Sequence, residues 1–148
     1  MEYTLRCCEK NDFDLIFTLK KLCMKWYIEM IYGWNEEIQI KKTHNEIEKN
    51  INNMKIITVD NKDIGVTTFT KNDDCYCVGL IMIHPHYQNN GIASSIISDY
   101  INLAKKDNKK IIIKTFKENS ARRLYERLGF KAYCEDETHI HLQIDFSK

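Results

Sequence analysis

The sequence predicts a mixed α/β fold, an α+β arrangement with helices on a mixed sheet, and three observations lead there. Helical and strand-like periodicities alternate along the chain, β-branched runs are separated by polar turns, and no internal repeat or low-complexity tract interrupts them. With 148 residues, 43% hydrophobic and 29% charged, the chain is expected to form one domain spanning residues 1–148. A chain of this size buries ~70% of its unfolded surface and folds without staples.

Residues 3–8 read as a short strand closed by Lys10-Asn11-Asp12, with Asp12 placed to cap the helix that follows. From Phe13 the positions Leu15, Ile16, Leu19, Leu22, Cys23, Trp26, Tyr27 and Met30 recur at helical spacing. One amphipathic helix burying that face is expected, broken by Gly33. Asn35 is placed to cap a second helix running through Ile40 and Ile47 toward Ile51, and Glu36 and Glu37 suit the positive end of its dipole. Residues 54–59 and 64–70, joined by the polar turn 60–63, read as a β-branched hairpin. Residues 75–83 add a third strand to an antiparallel meander, which Pro85 stops.

Gln88-Asn89-Asn90-Gly91 reads as a loop, since Asn and Gly tolerate turn conformations. Beyond it Ile92, Ile96, Ile97, Tyr100, Leu103 and Ala104 form a helical stripe that ends on Lys105 and Lys106. A strand over 111–116, a helix from Asn119 through Leu128 ended by Gly129, and strands over 131–134 and 138–146 complete the order.

Composition excludes several function classes. The formal charge is +1 with lysines spread among acidic residues, so no stripe marks a nucleic-acid partner. No apolar run reaches the ~20 residues of a membrane helix, and Glu2, Arg6 and Glu9 interrupt any signal-like region. A cytoplasmic location away from membranes is expected. Six cysteines include no Cys-x-x-Cys pair, and His84 and His86 lack a convergent acidic or thiolate set. Buried free thiols and no metal are therefore expected. Lys plus Arg against Asp plus Glu is 11 to 13 over residues 1–74 and 11 to 8 over 75–148, so the later half is the more basic.

The turn before Ile92 aims free main-chain N–H groups outward at the positive end of a helix, where a diphosphate can be held with Gly91 permitting close approach. By itself such a turn is more often a plain connection than an anion site. Gln88-Asn89-Asn90-Gly91-Ile92-Ala93 resembles, however, the Gln/Arg-x-x-Gly-x-Gly/Ala pyrophosphate loop of the GNAT acetyltransferases. Asn119-Ser120-Ala121-Arg122-Arg123-Leu124-Tyr125-Glu126-Arg127-Leu128-Gly129-Phe130 is similar to their Asn-x-Ala-Arg-x-Leu-Tyr-Glu-x-Leu-Gly-Phe segment. Gly33-Trp34-Asn35-Glu36-Glu37 resembles a Gly-Trp-Asp-Glu-Glu stretch of one branch of these enzymes, departing at Asn35.

The resemblance implies the GNAT fold, a central and mostly antiparallel sheet with splayed strands and helices on both faces. It implies direct acetyl transfer from acetyl-CoA, without a metal, to a primary amine on a small molecule or peptide in a ternary complex. Pairing as a homodimer is common among such enzymes. By position, the pantetheine arm lies along Ile81, Met82 and Ile83, and the pyrophosphate meets Asn89, Asn90, Gly91, Ile92, Ala93 and Ser94 with Gln88 at the entrance. Asn119, six residues before Tyr125 and one closer than the commonest family spacing, touches the cofactor arm.

Tyr125 corresponds to the family's tyrosine near the cofactor sulfur. A phenol of pKa ~10 can return a proton to a departing thiolate whose conjugate acid has a pKa of about 8.5, which makes Tyr125 the expected general acid. Main-chain N–H groups near Met82 and Ile83 can stabilise the developing oxyanion. Glu37 is the leading candidate for the base that frees the amine, ahead of Asp73, Asp74, His84 and His139. Trp34 is expected to line the acceptor pocket with Glu37, and His139 and His141 share one strand face that leaves a substrate-side role open. The alternative is a catalytically weak acyl-CoA-binding or regulatory module of the same fold. A P-loop nucleotide site is excluded, because no Gly-Lys-Ser/Thr follows the loop.

Overall fold

The computed structural model describes residues 1–148, which divide into two compact units. The first holds Met1–Thr68 with Leu80–Ile92, and the second holds Phe69–Gly79 with Ala93–Lys148.

In the first unit, β1 (Thr4–Cys7) leads to α1 (Phe13–Cys23), α2 (Lys25–Tyr32) and α3 (Glu36–Asn50), followed by β2 (Met54–Val59), β3 (Lys62–Lys71) up to Thr68, and the last residues of β4 (Cys75–Ile83). β1 pairs antiparallel to β2 with Arg6 opposite Ile56, and β2 pairs antiparallel to β3 with Ile56 opposite Val66. The β2–β3 turn is two residues rather than the four expected. Asp60 and Asn61 both take positive φ, 49° and 65°, the conformations a tight hairpin turn requires. Cys8, Ile16, Leu19, Ile47, Met54, Ile56, Val66 and Met82 form this unit's apolar core.

Two expectations are corrected here. Asp12 occupies the N-cap position of α1, but its side chain makes no cap bond. Its carboxylate instead accepts from the Glu9 N–H at 2.8 Å, closing the 3-10 turn before α1, and from Arg6 at 2.7 and 3.0 Å, so both oxygens are already engaged. The single helix expected from Phe13 is two, broken at Met24 with φ −121° and ψ −21°. The break turns the second half of the stripe outward, so Trp26 and Met30 are 64% and 51% exposed while Ile28 is buried.

In the second unit, Cys75–Val78 of β4 run parallel to Lys110–Ile113 of β5 (Lys110–Phe116). β5 pairs antiparallel to β7 (His139–Asp145), and β6 (Lys131–Glu135) pairs antiparallel to β7 with a bulge between Ala132 and Cys134. Helix α4 (Ile92–Lys106) buries Ile92, Ile96, Ile97, Tyr100 and Ala104 of the stripe read from the sequence, whereas Leu103 is exposed. Tyr100 of α4 stacks on Phe69 at 4.1 Å, and the Tyr76 hydroxyl donates to Asp107. The last helix, α5, spans Ala121–Arg127, starting two residues later than expected because Asn119 forms the turn that precedes it.

The strands hydrogen-bond in the order β1-β2-β3-β4-β5-β7-β6, giving a mixed α/β fold with a seven-stranded, mostly antiparallel sheet. No helix is long and apolar enough to cross a membrane. The six thiols are free, but of them Cys8 alone is buried: Cys23, Cys75 and Cys77 are half-buried, and Cys7 and Cys134 are exposed on strands at the ends of that order.

Candidate active site

The end of β4 fixes the first half of the site. Main-chain groups on a strand alternate between its two edges. His84 donates its N–H to the Ile64 carbonyl at 2.8 Å, and a Cβ placed on Gly65 would lie 2.6 Å from the Met82 carbonyl oxygen. Met82 and His84 thus address β3, and Ile81 and Ile83 address the opposite edge. Of the three residues expected to present main-chain groups to a pantetheine arm, Met82 is turned to β3 and its side chain joins the core.

Pro85–Tyr87 form a 3-10 turn in which Tyr87 N–H donates to the His84 carbonyl at 2.8 Å and Gln88 N–H to that of Pro85 at 3.3 Å. His84 Nδ1 accepts from the His86 N–H at 3.1 Å, so these histidines shape the turn. The exposed loop follows. Asn89 and Gly91 take φ of 64° and 80°, and between them the Asn90 side chain donates to the carbonyls of Tyr87 and Gln88, each at 3.3 Å. A Cβ on Gly91 would meet nothing within 4 Å, so the glycine leaves open space beside a left-handed backbone. Helix α4 then begins at Ile92, with its first N–H groups lacking intrahelical acceptors. A main-chain cradle of this kind fits a diphosphate.

Gln88, expected at the loop entrance, turns its side chain inward. Its Nε2 donates to the Ile83 carbonyl at 2.8 Å, and Cys23 Sγ–H donates to the same oxygen at 3.3 Å. Sequence reasoning missed this use of Cys23, and no local pattern marks a contact between residues 60 positions apart.

Elsewhere in the first unit, Trp34 lies half-buried between α2 and α3, with Lys25 Nζ 5.3 Å above its ring and Phe17 at 6.2 Å. Its indole Nε1 is buried without a hydrogen-bond partner. Asn35 caps α3 as expected, accepting from the Ile38 N–H at 3.0 Å. Glu36 pairs with Lys21 at 3.3 Å, and Glu37 is exposed in the same first turn.

In the second unit, Asn119 Oδ1 accepts from the Ala121 N–H at 2.9 Å, which leaves its Nδ2 as the end able to donate to a ligand. Tyr125 is 6% exposed and packs edge-on to Phe130 at 6.2 Å. Burial pushes its pKa up to about 12, so the hydroxyl stays protonated throughout the neutral range. His139 and His141 share one face of β7, as expected. His141 Nε2 lies 3.1 Å from Asp136 and His139 Nδ1 lies 2.7 Å from the Thr138 hydroxyl. Burial, reinforced by Lys114, lowers the pKa of His139.

A family model described as Acetyltransferase (GNAT) domain matches residues 28–142. No curated protein sequence matches the chain. Among solved structures, the PaiA N-acetyltransferase of Thermoplasma acidophilum in complex with coenzyme A superposes with a TM-score of 0.76 at 18% identity, over 98% of this chain and 99% of that one. An acetyltransferase (GNAT family) from Bacillus anthracis gives 0.72 at 20% identity over 100% and 97%. The ribosomal-protein-S18-alanine N-acetyltransferase of Escherichia coli gives 0.72 at 16% identity over 99% and 96%. At such identities the superpositions establish a shared fold.

Proposed function

The chain belongs to the GNAT acetyltransferase family, and from that premise we propose that residues 1–148 act as one catalytic domain moving an acetyl group from acetyl-CoA directly to a primary amine in a ternary complex. Acetyl-CoA supplies an electrophilic thioester carbonyl and a thiolate leaving group. The observation that carries this reading is the loop before α4, where left-handed Asn89 and a left-handed, unobstructed Gly91 lead into a helix N-terminus with free main-chain N–H groups. A solved relative of this fold holds coenzyme A.

In this reading Asn89, Asn90, Gly91, Ile92, Ala93 and Ser94 hold the pyrophosphate through their main chain. Ile81 and the N–H of Ile83 bond the pantetheine arm, while Met82 braces that edge from the β3 side. Asn119 Nδ2 donates to the same arm. The Tyr125 hydroxyl delivers a proton to the departing sulfur. A phenol at about 12 is a weak acid for an aqueous thiol, but the desolvation that raises it also raises the pKa of a thiol, as at Cys8, which burial pushes to about 11. A thiolate leaving into the same buried surroundings is a stronger base than in water, which favours proton transfer from the phenol.

Glu37 takes the proton of the acceptor through water, consistent with its exposure, and the half-buried Trp34 ring lines the acceptor side. A small free amine or a peptide amine is the acceptor, the latter being the class named for the Escherichia coli relative.

Calorimetric titration with acetyl-CoA and desulfo-CoA, run beside a thiol-release screen over polyamines, aminoglycosides, amino acids and N-terminal peptides, tests this function. Cofactor binding with amine-dependent thiol release supports it. Binding without release across the panel indicates a CoA-binding module of the same fold, and no binding overturns the reading.

A further inference from the structure

We propose that Gln88 and Cys23 act together as positioning residues, a two-donor anchor on the Ile83 carbonyl that fixes the pyrophosphate loop against the end of β4. The proposal rests on the reading that the 88–91 loop receives the acetyl-CoA pyrophosphate. Gln88 is an exposed residue at the mouth of that loop, yet its amide nitrogen reaches back five residues to Ile83 at 2.8 Å instead of facing solvent. Cys23 reaches the same oxygen from the last residue of α1 at 3.3 Å, and Gln88 Nε2 also lies 4.0 Å from its sulfur, so three groups close a triangle.

A carbonyl oxygen offers two lone pairs, and this one meets two donors. The Ile83 oxygen is therefore not an acceptor for an incoming chain, and the edge of β4 offers the N–H of Ile83 with both main-chain groups of Ile81. Burial raises the Cys23 pKa, so the sulfur is an S–H donor rather than a thiolate.

Cys23 is the final residue of α1, so the contact ties the end of that helix to the end of β4. Residues 88–91 have no ladder of their own, and two of them are held at positive φ. What sets the direction of their N–H groups is the 3-10 turn behind them, the Asn90 side chain and this anchor. Loosening the anchor costs binding of the donor substrate without touching the reacting atoms.

The test compares Gln88→Met, which keeps the side-chain length without the donor, with Cys23→Ala, Cys23→Ser and the Gln88→Met/Cys23→Ala pair. Gln88→Met is expected to raise both the Kd and the KM for acetyl-CoA about three- to tenfold. Its kcat stays within about twofold and the acceptor KM is unchanged. Cys23→Ala gives a smaller loss, which Cys23→Ser, retaining an O–H donor, partly restores. The pair loses more than the product of the single changes, because both donors then leave one carbonyl unpaired.

A readout without substrate accompanies these. Hydrogen exchange at the Tyr87 and Gln88 amides of the free protein speeds up in Gln88→Met. Wild-type binding of acetyl-CoA with unchanged affinity and unchanged exchange in Gln88→Met overturns the anchor and leaves the transferase reading standing. A wild-type protein that binds no acetyl-CoA overturns both.

Discussion

Tyr125 combines deep burial with a hydroxyl, and the pairing has consequences for both catalysis and stability. In the proposed reaction Tyr125→Phe removes the proton donor, so kcat should fall roughly 10²-fold or more while the Kd for desulfo-CoA stays near that of the wild type. The acceptor must be neutral to attack, so the wild-type rate rises with pH toward the ammonium pKa of ~10. With its own pKa at about 12, Tyr125 imposes no fall in rate over that rise. The same shift links to folding. The unfolded tyrosine loses its proton near pH ~10 and the native one near about 12, so between those values the native state binds more protons and stability drops as pH rises. Urea midpoints measured at pH 8 and pH 11 should show a steeper alkaline loss in the wild type than in Tyr125→Phe.

Asp12 has the opposite sign. Arg6 and the Glu9 N–H hold its pKa below the usual carboxylate range, with Arg6 the larger influence. Asp12→Asn should cost about 1–3 kcal/mol at neutral pH, and denaturation at decreasing pH should show that difference shrinking as the native carboxylate takes up its proton. None of this acid–base detail was legible beforehand. Sequence reading put Asp12 at a helix cap, and only the fold brings Arg6 within 2.7 Å of it.

The elements divide by how local their causes are. Helix α4 was readable because its apolar stripe, its basic last turn and the Asn-Gly punctuation before it all lie within the segment itself. The hairpin β2–β3 was readable for the same reason, apart from the length of its turn. The α1–α2 break was not, since the apolar spacing runs through Met24 without a helix breaker and the cause lies in packing. Candidate site residues follow the same division. The 88–93 loop and the block around Tyr125 are contiguous motifs, whereas the inward turn of Gln88 and the part played by Cys23 depend on contacts distant in the chain.

Two glycines carry element-scale predictions. Gly91→Ala places a Cβ on a residue at φ 80°, so a loss of about 1 kcal/mol in stability is expected together with weaker acetyl-CoA binding. Thermal denaturation and calorimetric titration check both. Gly65→Ala drives a Cβ to 2.6 Å from the Met82 carbonyl, and backbone cannot yield as a flexible side chain does. Stability should fall by about 1–3 kcal/mol in urea unfolding, with the β3–β4 contact displaced.

At the scale of the molecule, the chain forms two compact units: the edge of β4, the 88–91 loop and the Trp34–Glu37 segment lie in the first, and Asn119, Tyr125 and most of α4 lie in the second. Fold class and family were legible because two specific motifs stand in order on a fitting pattern of elements. The acceptor was not, since the Gly33–Glu37 stretch does not specify an amine, and the burial of the unpartnered Trp34 Nε1 emerges only from packing. The most direct measurement is amine-dependent thiol release from acetyl-CoA by wild-type protein and Tyr125→Phe, with desulfo-CoA binding followed on the same samples. The account predicts turnover in the wild type that collapses in Tyr125→Phe while binding persists. Equal turnover in the two proteins would contradict the role given to Tyr125, and a wild type that neither binds desulfo-CoA nor releases thiol would contradict the acetyl-transfer reading itself.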